Sequence, residues 1–357
     1  MIMSRLAAAV SGGVDSAVAA ARAIDAGHEV TAVHFALSRP VNSQDAQRID
    51  ATSRDAQRVA DQLGTAFETW DFTAEFERDV TAYFLAEYAR GRTPNPCLRC
   101  NETIKFGAVA DRAAALGFDG VVTGHYARLR TGSDGTVELH RAADRAKDQS
   151  YVLAVLTQAR LRRAHFPLGD SLKAEVRQEA RDRGIPVADK PDSSDICFIA
   201  SGDTAGYLLE HLGAHPGRIE TEDGTVLGTH PGAFTYTIGQ RKGLRIGTPA
   251  PDGHPRYVLR LDPVNRTVVV GPHDRLAVTR LTGIEPHWCG QTPTAAFAGT
   301  VQLRAHAAEI PARVAIDNGG VQITLDEPAY GIAAGQTAAI YDGTRVIGSA
   351  TIDAVGD

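Results

Sequence analysis

The stretch Leu6-Ala7-Ala8-Ala9-Val10-Ser11-Gly12-Gly13-Val14-Asp15-Ser16 decides how the N-terminal half is read. Leu6 to Val10 is an apolar run of the length of a buried strand, and Asp15 to Ala26 is alanine-rich and helix-forming. Val30 to Phe35 reads as a second strand, so the order is strand, helix, strand, which implies a parallel sheet in an α/β domain. Between strand and helix, the first backbone N–H groups of the helix lack internal partners and sit at the positive end of its dipole, which suits an anion. Gly12 and Gly13 let the backbone close round phosphate oxygens, and Ser11 and Ser16 add hydroxyl donors. Asp15 is placed to act through a magnesium ion or to cap the helix. A plain glycine turn with a polar cap is the alternative. Neither the Gly-Lys-Ser/Thr ending of a Walker loop nor a Gly-x-Gly-x-x-Gly fingerprint is present.

Outward from this loop, helices are expected over 43–63, over 73–90, where Phe76, Val80, Phe84 and Tyr88 recur at helical spacing, and over 172–183. Gly91 and Pro94 end the second of these. Phe118 to Thr123 reads as a buried strand ending at Gly124-His125, where open α/β sheets place their ligand crevice. Past Ser201 the chain turns to short β-rich pieces separated by turn signals. Val258–Leu261 and Thr267–Val270 flank a hairpin, and segments from Gly299 to Ile352 are expected to close a small barrel. This gives an α/β domain over 1–203, a small mostly-β central domain over 204–274 and a C-terminal β-barrel over 275–357.

The 357 residues are 43% hydrophobic and 22% charged, which excludes a disordered chain, and no apolar run is long enough to span a bilayer. No signal-peptide pattern opens the sequence, so a cytoplasmic protein is expected. A net charge of −6 argues against a non-specific nucleic-acid coat. Yet residues 128–163 carry eight Lys or Arg against four Asp or Glu, a basic middle that suits a phosphate backbone as well as plain solvent. Four cysteines are too few for a disulfide framework. Cys97 and Cys100 lie in Thr93-Pro94-Asn95-Pro96-Cys97-Leu98-Arg99-Cys100-Asn101, with the next helix expected to start near Asn101, so that its dipole would lower the Cys100 pKa. Cys197, between Ile196 and Phe198, has the setting of a small buried hydrophobe, and Cys289 beside Trp288 reads as structural.

The hexapeptide after the first strand resembles the PP-loop of the ATP pyrophosphatases, which implies cleavage of ATP between its α and β phosphates. Thr93-Pro94-Asn95-Pro96 with Cys100-Asn101, Thr123-Gly124-His125-Tyr126, Lys147-Asp148-Gln149-Ser150-Tyr151, Asp195-Ile196-Cys197-Phe198-Ile199 and Gly239-Gln240-Arg241-Lys242-Gly243 then follow in order. With them the chain closely resembles the bacterial tRNA-specific 2-thiouridylases, strongly to about residue 245. The resemblance implies ATP, Mg2+ and a tRNA whose wobble uridine exchanges its C2 oxygen for sulfur, with a sulfur-donor protein or sulfide as partner and a monomer when free. It assigns Ala9, Val10, Ser11, Gly12, Gly13, Val14, Asp15, Ser16, Phe35 and Gly124 to ATP, with Asp15 catalytic. Asn95, Pro96 and Cys97 fall to the target base, and His125, Lys147, Asp148, Gln149, Arg304 and Gln336 to tRNA. Cys197 would carry a persulfide and Cys100 would act as the nucleophile that releases the sulfur or closes a disulfide.

Two departures stand out. Cys97 replaces an Asp of many members, and Arg304-Ala305-His306 stands where an Arg-Tyr pair is common. The first opens a second route, in which Cys97, Cys100 and Cys197 hold a [4Fe–4S] cluster with one iron left for sulfide. Outside this family, an amidoligase would need no paired cysteines, and a zinc-organised RNA-binding module would use the same three thiols with His125.

Overall fold

The computed structural model describes residues 3–40, 43–191, 196–199, 202–247, 253–317 and 319–356. In the N-terminal half, β1 (Arg5–Ala9), β2 (Glu29–Ala36), β3 (Ala66–Asp71) and β4 (Gly120–Val122) precede a hairpin of β5 (Ala127–Thr131) and β6 (Val137–Arg141), and β7 (Ala164–His165) follows. The five strands other than the hairpin form one parallel sheet in the order β3-β2-β1-β4-β7. Helix α1 (Val14–Asp25) turns a face of buried alanines to one side, where small side chains allow close packing, and helix α2 (Ser43–Leu63) adds Val59 and Ala60 beside it. Trp70, Phe76, Val80, Ile104 and Phe118 fill the opposite side. Strand order reverses between β1 and β4, so the crevice at their C-terminal ends is where such sheets bind ligands.

Two helical expectations need correction. The segment over 73–90 is helical throughout to Ala89 but passes through a π-helical turn at Glu77–Thr81. The helix expected near Asn101 begins at Pro96: Pro96–Cys100 is α, Asn101–Ala108 is π and Val109–Ala115 is α again. Asn95 explains the early start, because its Oδ1 accepts the Cys97 N–H at 3.0 Å and Pro96 takes the first helical position. The π turn requires Gly107, where a Cβ would lie 2.8 Å from the Glu102 carbonyl oxygen.

Among the described residues, the elements of the second half are β-strands apart from the helix Thr204–Leu212 and two single 3-10 turns. The strands β8 (Gly217–Thr221), β9 (Val226–His230), β10 (Tyr257–Asp262) and β11 (Thr267–Gly271) form a four-stranded central sheet containing the expected β10–β11 hairpin. The strands β12 (Ala277–Trp288), β13 (Phe297–Gln302), β14 (Ile310–Asp317), β15 (Gly320–Tyr330), β16 (Thr337–Asp342) and β17 (Arg345–Gly356) make the barrel. Closure is by β12 against β17, so the barrel needs the strand from Ala277 and not only the segments past Gly299.

The hairpin β5–β6 leaves the parallel sheet and extends the barrel sheet at β17, His140 opposite Arg345. The Arg141 guanidinium lies 3.6 Å from the Tyr341 ring centroid and donates to Asp148 Oδ2 and Gln302 Oε1, each at 2.8 Å. The Arg141 and Asp148 side chains are 4% and 6% exposed, which makes this a buried joint between the first domain and the barrel. A second joint brings the barrel turn at Ala333–Gln336 onto the segment before Asn95, with the Thr93 N–H donating to Ala334 O at 2.8 Å. Gly335, at φ +86°, is required there: a Cβ would lie 2.9 Å from Thr93 N.

Candidate active site

The loop after β1 is shaped for an anion. Gly12 adopts φ +71°, and a Cβ there would stand 2.7 Å from Thr52 O. Gly13 is the N-cap of α1 and offers no side-chain cap, so the first N–H groups of the helix are not claimed by a capping side chain. The Ser16 hydroxyl donates to Gly13 O at 3.0 Å and accepts the Ser11 N–H at 3.1 Å, and the two serine hydroxyls are 3.2 Å apart. Val10 and Val14 are buried beneath the loop and support it from the core, with Ala9 half-buried ahead of them. Phe35 is half-buried at the end of β2 against Trp70 and Phe72.

Two lysines far along the chain complete this loop, and neither was picked out in the sequence. Lys173 Nζ donates to both Asp15 carboxylate oxygens at 2.7 Å, and the Tyr126 hydroxyl donates to Asp15 Oδ1 at 2.8 Å. Lys190 Nζ donates to Gly12 O at 3.0 Å and to Asp55 Oδ2 at 2.8 Å. Burial works to raise the Asp55 carboxyl, but Lys190 and Arg58 outweigh it and hold it below the usual range. Asp15 thus does not cap α1. Its carboxylate is shared with the Lys173 ammonium, and a magnesium ion bound there would take most of its ligands from phosphates and water.

From the end of β4, Thr123-Gly124-His125-Tyr126 forms a short wall that runs from this loop to the helix segment carrying Phe106. A Cβ on Gly124 would be 2.7 Å from Ser16 N, so glycine is what allows the wall to touch the phosphate loop. His125 is buried, its Nδ1 2.8 Å from Thr123 Oγ1 and its ring against Phe106 and Phe166. Burial, with Lys105 second, pushes its pKa well below the ordinary value and keeps it neutral.

Cys100 is the fifth residue of its helix and is buried among the core of the sheet's second face, against which Phe198 packs. The expected lowering of its pKa is therefore reversed: burial pushes the thiol up to about 12, with Lys105 working against the rise and Cys197 and Cys97 adding to it. Cys97 occupies the helix N-terminus instead. Cys197 is exposed, not the buried hydrophobe that its neighbours suggest, yet the protein crowding its sulfur raises its pKa, with Lys105 opposing. Asp195, in the same motif, lies outside the described residues, as do 192–194. All four cysteines are thiols, and Cys289 is buried in the core joining the first domain to the barrel. Among the described residues no three His, Cys, Asp or Glu side chains gather where a metal ion would be held. The arrangement therefore gives no support to an iron–sulfur cluster on Cys97, Cys100 and Cys197, or to a zinc site that adds His125.

Of the residues assigned to RNA, Lys147 is exposed on the turn before Asp148. Asp148 is committed to Arg141, Ala142 N and Ser150, and Gln149 Oε1 accepts the Tyr126 N–H at 2.9 Å. Arg304 donates to Gly331 O, and Gln336 Oε1 accepts the Ala333 N–H at 3.0 Å within the turn that meets Thr93. Asn95 and Pro96 begin the cysteine helix beside that turn.

Three family models match in succession: a tRNA methyl transferase HUP domain over 4–201, a tRNA methyl transferase PRC-barrel domain over 205–272 and an aminomethyltransferase beta-barrel domain over 278–352. The chain is 61% identical to tRNA-specific 2-thiouridylase MnmA of Nocardioides sp., covering 98% of each chain. It is 60% identical to the protein of that name from Acidothermus cellulolyticus, over 98% of this chain and 97% of the relative, and 58% identical to that from Streptomyces avermitilis, over 98% and 94%. With this likeness from end to end, the chain belongs to the tRNA-specific 2-thiouridylase family.

Proposed function

We propose that the protein replaces the C2 oxygen of the wobble uridine of tRNA by sulfur, at the cost of ATP cleaved to AMP and pyrophosphate. The supporting observation is that one short wall, Thr123 to Tyr126, touches the phosphate loop through Gly124 and Tyr126 and the cysteine helix through His125. The α1 N–H groups, Ser11 and Ser16 bind the phosphates, and Lys173 and Lys190 supply cationic charge where pyrophosphate forms. Magnesium, held by Asp15, would neutralise phosphate charge. The uridine C2 oxygen attacks the α-phosphorus and pyrophosphate leaves, which converts a poor leaving group into AMP.

Sulfur then arrives from Cys197. Its exposure lets a donor load it as a persulfide, and the terminal sulfur attacks C2 and expels AMP. The Cys100 thiolate attacks the Cys197 sulfur, so a Cys100–Cys197 disulfide forms and 2-thiouridine is released. That disulfide is reduced by an external thiol before the next turnover. Burial keeps Cys100 protonated at rest, which protects the loaded persulfide from early attack, and Lys105 stabilises the thiolate once it forms. Asn95, Pro96 and Cys97 present the helix start to the base, with Lys147, Arg304 and Gln336 on the RNA side.

The test is nucleoside mass spectrometry on tRNA incubated with the protein, ATP, Mg2+ and a persulfide source. Equimolar 2-thiouridine and AMP are expected. ADP as the nucleotide product, or unmodified uridine with a competent donor, would overturn the reading.

A further inference from the structure

The chain carries a net charge of −6, yet Arg241, Lys242, Arg245 and Arg256 fall within sixteen residues of the central domain that contain one acidic residue. Arg241, Arg245 and Arg256 line a concavity of about 360 Å³ together with His254 and Pro255. The loop that carries the first three cations is built to stay in place. Gly239 N donates to Val258 O at 2.8 Å, Val258 N donates to Gln240 O at 3.0 Å, and Gln240 Oε1 accepts the Thr237 N–H at 3.1 Å. Gln240 Nε2 donates onward to Lys242 O at 3.0 Å, and Leu244 is buried in the central core with Val258 and Val268. Arg245 holds φ +52°, a left-handed conformation unfavourable for a residue with a Cβ.

Arg241, Lys242 and Arg245 are exposed, and among the described residues no acidic side chain pairs with them. By contrast, Arg275, just past the end of this domain, is paired with Glu222 at 2.9 Å. The loop is also continuous with the barrel: a Cβ on Gly239 would lie 3.1 Å from Gly331 Cα and 3.8 Å from Arg304 Nη2. A concave face that carries Arg241 and Arg245, with no exposed Phe, Tyr or Trp among its described lining residues, suits a phosphate backbone better than a folded protein, whose interfaces centre on buried aromatic and aliphatic anchors.

We propose that this face of the central domain, Arg241, Lys242, Arg245 and Arg256, grips the phosphate backbone of the tRNA as a second contact separate from the reacting base. The inference rests on tRNA being the substrate. It makes the central domain a source of salt-dependent affinity that leaves the chemistry at the cysteines untouched.

The test measures tRNA affinity across a salt series for wild type, for R241A/K242A/R245A and for the charge reversal R241E/K242E, with tRNA KM and kcat for thiolation alongside. The neutralised variant should bind about tenfold more weakly near 0.1 M salt, and its slope of log affinity against log salt should be shallower by about two to three. KM should rise in step while kcat changes less than twofold, and the reversal should weaken binding further. All these side chains are exposed, so thermal midpoints check that both variants fold. Wild-type affinity and slope in both variants, with normal binding by the wild type, overturn this proposal alone. Unchanged tRNA binding with impaired sulfur delivery from a donor protein overturns it in favour of a protein dock. A wild type that binds no tRNA overturns the functional reading beneath it.

Discussion

The phosphate loop and the two cysteines are built in opposite ways. The phosphate side rests on six consecutive residues, Ser11 to Ser16, whose backbone donors act by position, and on lysines that reach in from residues 173 and 190. The sulfur side has no continuous motif: Cys100 and Cys197 lie 97 residues apart in the chain and influence one another only because Phe198 packs on the core that holds Cys100. Charge is placed openly on one side and suppressed by burial on the other. An anion site works by fixed donors, whereas a thiol that must wait its turn is better kept dry and protonated.

The sharpest way to separate the two sides is Cys100→Ser or Cys197→Ser. Each should reduce thiolation by about a thousandfold or more, since a hydroxyl neither carries nor displaces sulfur. ATP binding should stay within twofold, measured by nucleotide titration. Thiolation at wild-type rate in either variant would remove the persulfide route. On the other side, Lys173→Met should slow tRNA-dependent AMP formation by about a hundredfold to a thousandfold, as loss of a preorganised charge does. Persulfide loading of Cys197, read by mass spectrometry of the intact protein, should be unchanged, and a loss of loading would show that the two sides are coupled.

Cys97 tests the boundary between them. Because the three thiols do not gather as a metal site, Cys97→Ala should retain thiolation within about threefold, since its sulfur takes no part in the persulfide exchange. Iron analysis of anaerobically purified protein supplies the check: a variant that loses both stoichiometric iron and activity would reinstate the cluster.

The smallest effect concerns how the cysteine helix is held against the barrel. His287 Nε2 is 2.9 Å from Glu102 Oε1. Hydrogen bonding to Glu102 raises the His287 pKa against burial, while burial acts to raise Glu102 but His287 and Arg99 hold it below the usual range. The histidine contribution is complete below its unfolded pKa of about 6.5 and is lost as pH rises through the higher folded value. The glutamate contribution is present above about 4.5 and is lost as pH falls through the lower folded value. His287→Gln should therefore cost about 1 kcal/mol near pH 5.5 and progressively less toward pH 9, measured by denaturant unfolding. A cost independent of pH would mean that packing, not charge, holds the joint.

Much of the fold was legible in the sequence because its signals are local. Helix α2 falls over 43–63 as its pattern predicts, and the hairpin of β10 and β11 follows from Asp262-Pro263-Val264-Asn265. The cysteine helix was misplaced because Asn95 and Pro96 read equally as a stiff loop and as a cap with a first helical residue. The earlier start takes the helix dipole away from Cys100, and burial then sets the direction of its pKa.

By itself the sequence determined the strand-loop-helix that binds phosphate, the β character of the second half and the set of motifs that marks the family, all carried by short runs whose meaning depends on near neighbours. Tertiary structure alone decided which groups face them. Lys173 on Asp15, Lys190 on Gly12, Lys105 near Cys100 and Cys197, and a first-domain hairpin completing a sheet of the barrel are long-range pairings, in which one lysine among many becomes functional by where the chain returns. Burial is likewise a property of the packed whole, which is why Cys100 is dry between Arg99 and Asn101 while Cys197 is exposed between Ile196 and Phe198.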